Sequence, residues 1–306
     1  MGLPKKVILT ECWARDGLQN QVKYIPTDQK INMIERIVDS GFKRVEVTSF
    51  SHPKYVPQFK DAEELLEKLH KNSDVSYKAT CVNNRALLRA IDTVEKGYGP
   101  NEVSFVIAAS EEYNKVNVKM TQKQLINQID GMINSAKDAG LEVLISVSTA
   151  FGCPYKGTVE TEDVLRLVDH FSTKGVDRIT IGDTSGMANP KQSYQLYTIL
   201  KENYGEDIPI IAHFHDTKGW GISNAYAALQ AGVNHFDVSL GGIGGPPAER
   251  IGSQSGNTGN VCTEDFVFLL NDLGIDAGID LEKLKGVGEY SENMLGMQRS
   301  QILRSI

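Results

Sequence analysis

Residues 209–240 read PIIAHFHDTKGWGISNAYAALQAGVNHFDVSL, and the order of residue types along that stretch decides the fold. A run of β-branched and aromatic residues (209–215) gives way to a polar turn and then to a helical stretch (222–231). That stretch stops at Gln230-Ala231-Gly232, as a helix closed by a C-terminal glycine should, and a second strand-like run follows at 235–240. A strand, a crossover helix and another strand describe two parallel strands joined right-handedly.

The same unit recurs in both directions. Further strand-like runs lie at 6–12, 44–50, 76–82, 102–108, 142–149 and 178–182, and helical stretches include 27–40, 121–139, 160–174 and 190–203. Glycines close several of these at Asp39-Ser40-Gly41, Asp138-Ala139-Gly140 and Thr173-Lys174-Gly175, while Thr27, Thr121, Thr161 and Thr263 stand where N-caps belong. Eight such units in about 270 residues predict an α/β protein of the closed (β/α)8 TIM barrel class rather than an open doubly wound sheet. No Gly-x-Gly-x-x-Gly opens a helix after the first strand, which removes the usual nucleotide signature of the open sheet. The expected division is a catalytic barrel over 1–279 and a helical extension over 280–306, packed on the barrel or on a partner subunit in a homodimer. No linker or repeat separates them.

Composition narrows the partners. The net charge of −7 carries no basic block, so a phosphate backbone would be repelled and nucleic acid is not an expected partner. A local cation or arginine can still reverse the field inside a cleft, so an anionic small molecule stays open. Four scattered cysteines without a Cys-x-x-Cys pair suggest a reduced, cytoplasmic setting. The apolar stretch in MGLPKKVILTECW is too short for a signal-peptide core, and no run reaches membrane-spanning length.

Barrel active sites sit at the C-terminal ends of the strands, so polar residues there carry the chemistry. Strand one runs into Arg15-Asp16-Gly17-Leu18-Gln19-Asn20, strand two carries Glu46, and strand six ends in Gly182-Asp183-Thr184. Strand seven ends in His213-Phe214-His215-Asp216, and a glycine-rich loop containing Asn260 follows strand eight. Residues two apart on a strand share a face, so His213 and His215 converge. They are either hydrogen-bonded interior histidines or ligands of one divalent ion. Asp16 and Asn260 add hard oxygen donors, and the mixed set of four suits Mg2+ or Mn2+ better than a closed zinc site. Arg15 either pairs with a carboxylate or stabilises a developing enolate oxygen. Glu46 is costly to bury unpaired, which makes it a partner of Arg15, a general acid or base, or both. Asp183 is placed to orient a metal-bound histidine or water. Cys153 follows strand five and could face a substrate, whereas Cys262, close to a helix start that would lower a thiol pKa, is a second thiol of interest. Cys12 and Cys81 read as small core residues.

The assembled motifs resemble the 3-hydroxy-3-methylglutaryl-CoA lyases of the metal-dependent aldolase/Claisen barrel superfamily, from Val7 to about Gly288. The matching stretches are Arg15–Asn20, Val47-Thr48-Ser49-Phe50 with His52-Pro53-Lys54, Ala108-Ala109-Ser110-Glu111, Gly152-Cys153-Pro154-Tyr155, Gly182-Asp183-Thr184, His213–Thr217, and Gly259-Asn260 with Thr263-Glu264-Asp265. The resemblance implies Asp16, His213, His215 and Asn260 as cation ligands, Arg15 on the thioester carbonyl, and Glu46 and Asp183 in proton transfer. It places Gln19, Ser110, Cys153 and Glu264 in substrate binding. The implied reaction is a retro-Claisen cleavage of an acyl-CoA thioester to an acyl-CoA and a ketone or oxo acid.

Two departures stand out. Pro246, in Gly244-Gly245-Pro246-Pro247-Ala248-Glu249-Arg250, occupies the position where those lyases carry a proton-donating cysteine. Water, Glu249, Cys153 or Cys262 would then have to donate. Cys12-Trp13-Ala14 replaces a smaller Gly-Pro pair before Arg15, so Trp13 is expected to reshape the pocket. A condensing synthase of the isopropylmalate or citramalate type would share the four ligands. Against it stand Asp216-Thr217 after the second histidine and Leu18-Gln19 after the Arg-Asp-Gly. A degenerate barrel that only binds is the non-enzyme alternative, and the intact ligand set argues against it.

Overall fold

The computed structural model describes residues 2–205, 207–245, 259–296 and 300–305. Eight parallel strands close into a barrel in sequence order. They are β1 (Ile8–Glu11), β2 (Arg44–Ser49), β3 (Ser76–Thr80), β4 (Glu102–Ala108), β5 (Glu142–Ser148), β6 (Arg178–Asp183), β7 (Ile210–Phe214) and β8 (His235–Val238), with β8 paired back onto β1. Helices Thr27–Asp39, Gln122–Asp138, Thr161–Ser172, Pro190–Tyr204 and Gly221–Gln230 lie where the sequence reading put them, and Ala62–Lys68, Asn84–Glu95 and Glu111–Asn117 add to the outer ring.

The glycine stops hold: Gly41, Gly140, Gly175 and Gly232 all have positive φ. The threonine starts hold once. Thr121 caps its helix through a reciprocal pair with Gln124. Thr27, Thr161 and Thr263 are instead the first helical residues, after Pro26, Glu160 and Cys262. Two of those hydroxyls serve tertiary contacts, Thr27 donating to Asp61 and Thr263 to Glu11.

The strands alternate in character because the two faces of the sheet meet different surroundings. Outward residues such as Val45, Tyr77, Val103, Phe105, Ile145, Ile181 and Phe236 are buried against the helices. Inward residues are largely polar. At the N-terminal end of the barrel the Arg44 Nη2 binds both carboxylate oxygens of Glu102 at 2.8 and 2.9 Å. Arg178 Nη1 donates to Glu102 at 2.7 Å and to Glu142 at 2.6 Å. These ion pairs close the bottom. Higher up, register places Glu46, Lys78, Thr80, Ser104, Ser146, Thr180, His213 and Asp237 on the inner face. A bulge in β2 between Glu46 and Thr48 turns Ser49 inward as well, opposite Thr80.

Beyond the eighth unit, helix Leu281–Leu295 is capped by the Asp280 carboxylate and buries Leu284 and Val287. It lies against the first helix, where the Arg36 guanidinium stacks on the Tyr290 ring at 4.6 Å. Trp13 points to this helix, not to the substrate side: it is fully buried, and its indole donates to Ser291 Oγ at 2.7 Å. The expectation that Trp13 reshapes the pocket is therefore corrected. Among the described residues no helix is long and apolar enough to cross a membrane.

Candidate metal centre and active-site cleft

Strand β7 delivers both histidines because Phe214 between them faces out, packed on Phe151 and Tyr197 with ring centroids 5.6 and 5.7 Å away. The His213 and His215 Nε2 atoms then approach to 3.2 Å. β1 ends in a π-helical turn, Trp13–Gly17, that presents Arg15 and Asp16 together at the barrel mouth. Asp16, His213 and His215 each offer a ligand atom within 4.8 Å of the others, a grouping able to hold a metal ion.

Asn260 arrives from the loop after β8. A bridge between His215 and Asn260, and another between Ser239 and Cys262, tie that segment to both neighbouring strands. Its amide NH2 donates to Asp16 Oδ2 at 2.7 Å and to the Ile243 carbonyl at 2.9 Å, which leaves the amide oxygen as the donor it can offer a cation. Gly244 has a φ of +133°, and a Cβ there would collide with the Asn260 amide and crowd Asp16. Only glycine lets this loop come so close.

The electrostatics suit a cation. Burial pushes the Asp16 carboxyl up, but Arg15 and the two histidines beside it more than offset this and hold it well below the usual carboxylate range. Burial and the neighbouring His213 push His215 down to about 4, so its imidazole is neutral at physiological pH, as a metal ligand would need to be. Burial lowers His213, yet the Asp237 carboxylate, 3.3 Å from its Nδ1, raises it above the ordinary value. The same contact fixes the Nδ1–H tautomer and leaves Nε2 free to ligate. Two Nε2 lone pairs face to face, next to an anionic carboxylate, fit a shared divalent ion better than they fit each other.

Arg15 combines both roles read from the sequence. Its Nη1 donates to Asp16 Oδ1 at 2.8 Å and its Nε lies 2.7 Å from Glu46 Oε1. Glu46 is fully buried; burial would raise its pKa, but Arg15 and Lys78 lower it below the ordinary value. Thr80 Oγ1 donates to it at 2.6 Å, and Lys78 Nζ stands 3.6 Å away. Asp183 accepts N–H bonds from Met187 and Ala188 through Oδ1, while its Oδ2 is buried with no partner. Burial raises its pKa to about 7. It makes no hydrogen bond to either histidine; Asp237, which the sequence reading passed over, is the carboxylate that orients His213.

A cleft of about 800 Å3 runs from Lys54, Tyr55 and Asn117 at the rim past this cluster into the barrel. Gln19 lines it, donating to Asp16 Oδ1 and to the Gly245 carbonyl, both at 2.7 Å. The other three residues assigned to substrate binding lie behind the wall. Ser110 is fully buried and caps helix Glu111–Asn117. Cys153 is fully buried, its sulfur accepting from the Tyr155 and Lys156 N–H groups. Glu264 is fully buried and accepts the Gly241 N–H at 2.9 Å. Cys262 does precede a helix, but burial, with Glu264 and Asp265 nearby, pushes its thiol well above the ordinary value rather than lowering it. None of the four thiols lines the cleft. Pro246 and Glu249 fall outside the described residues.

Fold and site together define a barrel enzyme with a carboxylate–imidazole cluster able to hold a metal ion at the strand C-termini. The family model described as HMGL-like matches residues 6–290, and the chain belongs to that family. It is 35% identical over 296 residues to the hydroxymethylglutaryl-CoA lyase YngG of Bacillus subtilis, covering 97% of this chain and 95% of that one. It superposes on a solved Bacillus subtilis HMG-CoA lyase with a TM-score of 0.92 at 34% identity, covering 100% of this chain and 99% of that one. An Acinetobacter baumannii HMG-CoA lyase solved with coenzyme A and 3-methylmalate gives a TM-score of 0.90 at 32% identity, over 100% and 96% of the two chains.

Proposed function

We propose that this chain is a divalent-cation-dependent carbon–carbon lyase that cleaves a 3-hydroxy-3-methylglutaryl-CoA-like thioester into an acyl-CoA and a ketone or oxo acid. The observation that carries the reading is the convergence of Asp16, His213 and His215 beside the Arg15–Glu46 pair at the mouth of the cleft. The relatives' names and the coenzyme A complex of one neighbour support an acyl-CoA substrate. Asp16, His213, His215 and the Asn260 amide oxygen would hold the ion, and two nitrogens with two oxygens favour Mg2+ or Mn2+. When bound, such an ion supplies Lewis-acid polarisation that acidifies the substrate's tertiary hydroxyl.

The chain's own groups do the rest. Arg15, fixed between Asp16 and Glu46, presents a guanidinium for the thioester oxygen as negative charge develops there. Asp183 Oδ2, buried and without a partner, is a carboxyl oxygen that can hold a proton near neutral pH. Glu46, held anionic by Arg15 and Lys78, keeps Arg15 aimed. Protonation of the released enolate falls to water, since no thiol lines the cleft and Asp183, in register with the outward-facing Phe214, does not line it either.

Purified protein with Mg2+ or Mn2+ and a panel of 3-hydroxyacyl-CoA esters, read by mass spectrometry, tests this. Release of a shorter acyl-CoA with a ketone or oxo acid is expected. Condensation of an acyl-CoA with an oxo acid, and no cleavage of any ester, would make the chain a synthase instead.

A further inference from the structure

The interior of a (β/α)8 barrel is ordinarily filled by bulky branched side chains. Here the inner positions beneath the metal-ligand cluster are Thr80, Ser104, Ser146 and Thr180, four small hydroxyl residues, and the cleft reaches down past them to Lys78 and Leu144. The axis is therefore open below the chemistry, and its floor sets these polar groups beside two apolar side chains, Val106 and Leu144.

Its hydrogen-bonding groups are only partly used. Thr80 donates to Glu46, and the Thr80 and Ser104 oxygens lie 2.8 Å apart, so those two hydroxyls are satisfied. Thr180 Oγ1, Asp237 Oδ1 and Glu46 Oε2 are buried without a hydrogen-bond partner, and Thr180 and Asp237 both line the cleft. Lys78, almost fully buried, makes one ion pair to Glu46 at 3.6 Å. The floor thus combines a spare hydroxyl on Thr180 and an ammonium on Lys78 with one spare carboxylate oxygen on Asp237, since Glu46 Oε2 is the atom that Lys78 faces. A neutral group that both donates and accepts satisfies such a set: its O–H reaches a carboxylate oxygen and its oxygen receives Thr180 or Lys78. A methyl group would leave these atoms unpaired, and a further carboxylate would meet Glu46 and Asp237 as like charges.

From this we infer that the barrel floor is a subsite for a neutral hydroxyl-bearing branch on the substrate's acyl chain, with Thr180 as its specificity-determining residue. The inference rests on the lyase reading for the identity of the chain that enters the cleft. Its test reads binding rather than turnover, so the two can fail separately.

Calorimetry on the Mn2+-loaded protein compares 3-methylglutarate, 3-(hydroxymethyl)glutarate and 3-carboxyglutarate (tricarballylate). The hydroxymethyl acid should bind about 10-fold tighter than the methyl acid, as for one well-made hydrogen bond, and Thr180→Val should bring that ratio close to one. Ser146→Ala, a milder change at the same depth, should lower the ratio less. Equal binding of the methyl and hydroxymethyl acids to the unaltered protein overturns the inference. So does tightest binding of tricarballylate, or a Thr180→Val variant that weakens all three acids alike, which would mark Thr180 as structural. Binding as predicted, with no thioester cleaved, would keep the subsite and remove the lyase.

Discussion

At the scale of single residues, the cluster's behaviour depends on which protons its members carry. The Asp237 carboxylate faces His213 Nδ1, which would leave Nε2 for a cation, so Asp237→Ala should weaken Mn2+ binding by about 10- to 100-fold, measured by calorimetry. A much smaller loss would show that the 3.3 Å contact does not orient the ring. Metal binding must also compete with protons. His213 has its pKa raised and His215 lowered, so a falling pH protonates His213 first. Mn2+ affinity should accordingly start to fall at a pH above the ordinary histidine value, in a titration from pH 8 downward. Affinity that stays flat until near pH 4 would mean that His215 alone is the limiting imidazole.

At the scale of elements, buried carboxyl groups organise both ends of the barrel, paired with arginines at one and hydrogen-bonded at the other. Glu102 joins β4 to β2 and β6 through Arg44 and Arg178, and Glu102→Ala would strand Arg44 in the interior. The expected cost is about 3–5 kcal/mol in denaturant unfolding. Glu11 does a similar job at the other end, accepting the Trp13 and Leu240 N–H groups and the Thr263 hydroxyl, and so ties β1, the loop after β8 and the following helix. Burial raises its pKa to about 8. A carboxyl raised on folding binds more protons folded than unfolded, so its contribution to stability is complete below the usual value near 4.5 and is lost as pH rises through about 8. Glu11→Gln should flatten the pH dependence of stability across that window; an unchanged profile would assign the dependence to another group.

The elements also show what the sequence could and could not reveal. The strand–helix rhythm and the glycine stops were legible because backbone conformation is local: Gly41, Gly140, Gly175 and Gly232 need positive φ wherever the chain goes next. Two of the three threonines that are not caps, Thr27 and Thr263, were misread because a hydroxyl's partner can be tertiary, as Asp61 and Glu11 are for them. The convergence of Asp16, His213, His215 and Asn260 was legible because the two histidines share a strand face and because Asp16 and Asn260 end their own units. Lys78, Thr180 and Asp237 sit inside strands, where only the inward parity of an otherwise apolar run betrays them. Ser110, Cys153 and Glu264 matched family motifs but face backbone rather than cleft, which motif position cannot show.

For the molecule as a whole, the barrel separates two tasks. Ion pairs seal its N-terminal end, and its C-terminal end opens a cleft that passes the candidate metal-binding cluster on the way to the barrel floor. Although the chain carries a net charge of −7, Arg15 and Lys78 stand inside the cleft, and a bound divalent ion would add to them. An anionic thioester can therefore approach an acidic protein. The central claim is that cleavage runs through the site at Asp16, His213 and His215. It is tested most directly by stripping the protein with a chelator, re-adding Mn2+, and following acyl-CoA release from the best-cleaved thioester by mass spectrometry. Cleavage should vanish on stripping, return with Mn2+, and stay absent in His213→Ala at the same Mn2+ concentration. A stripped protein that cleaves at the full rate would contradict it.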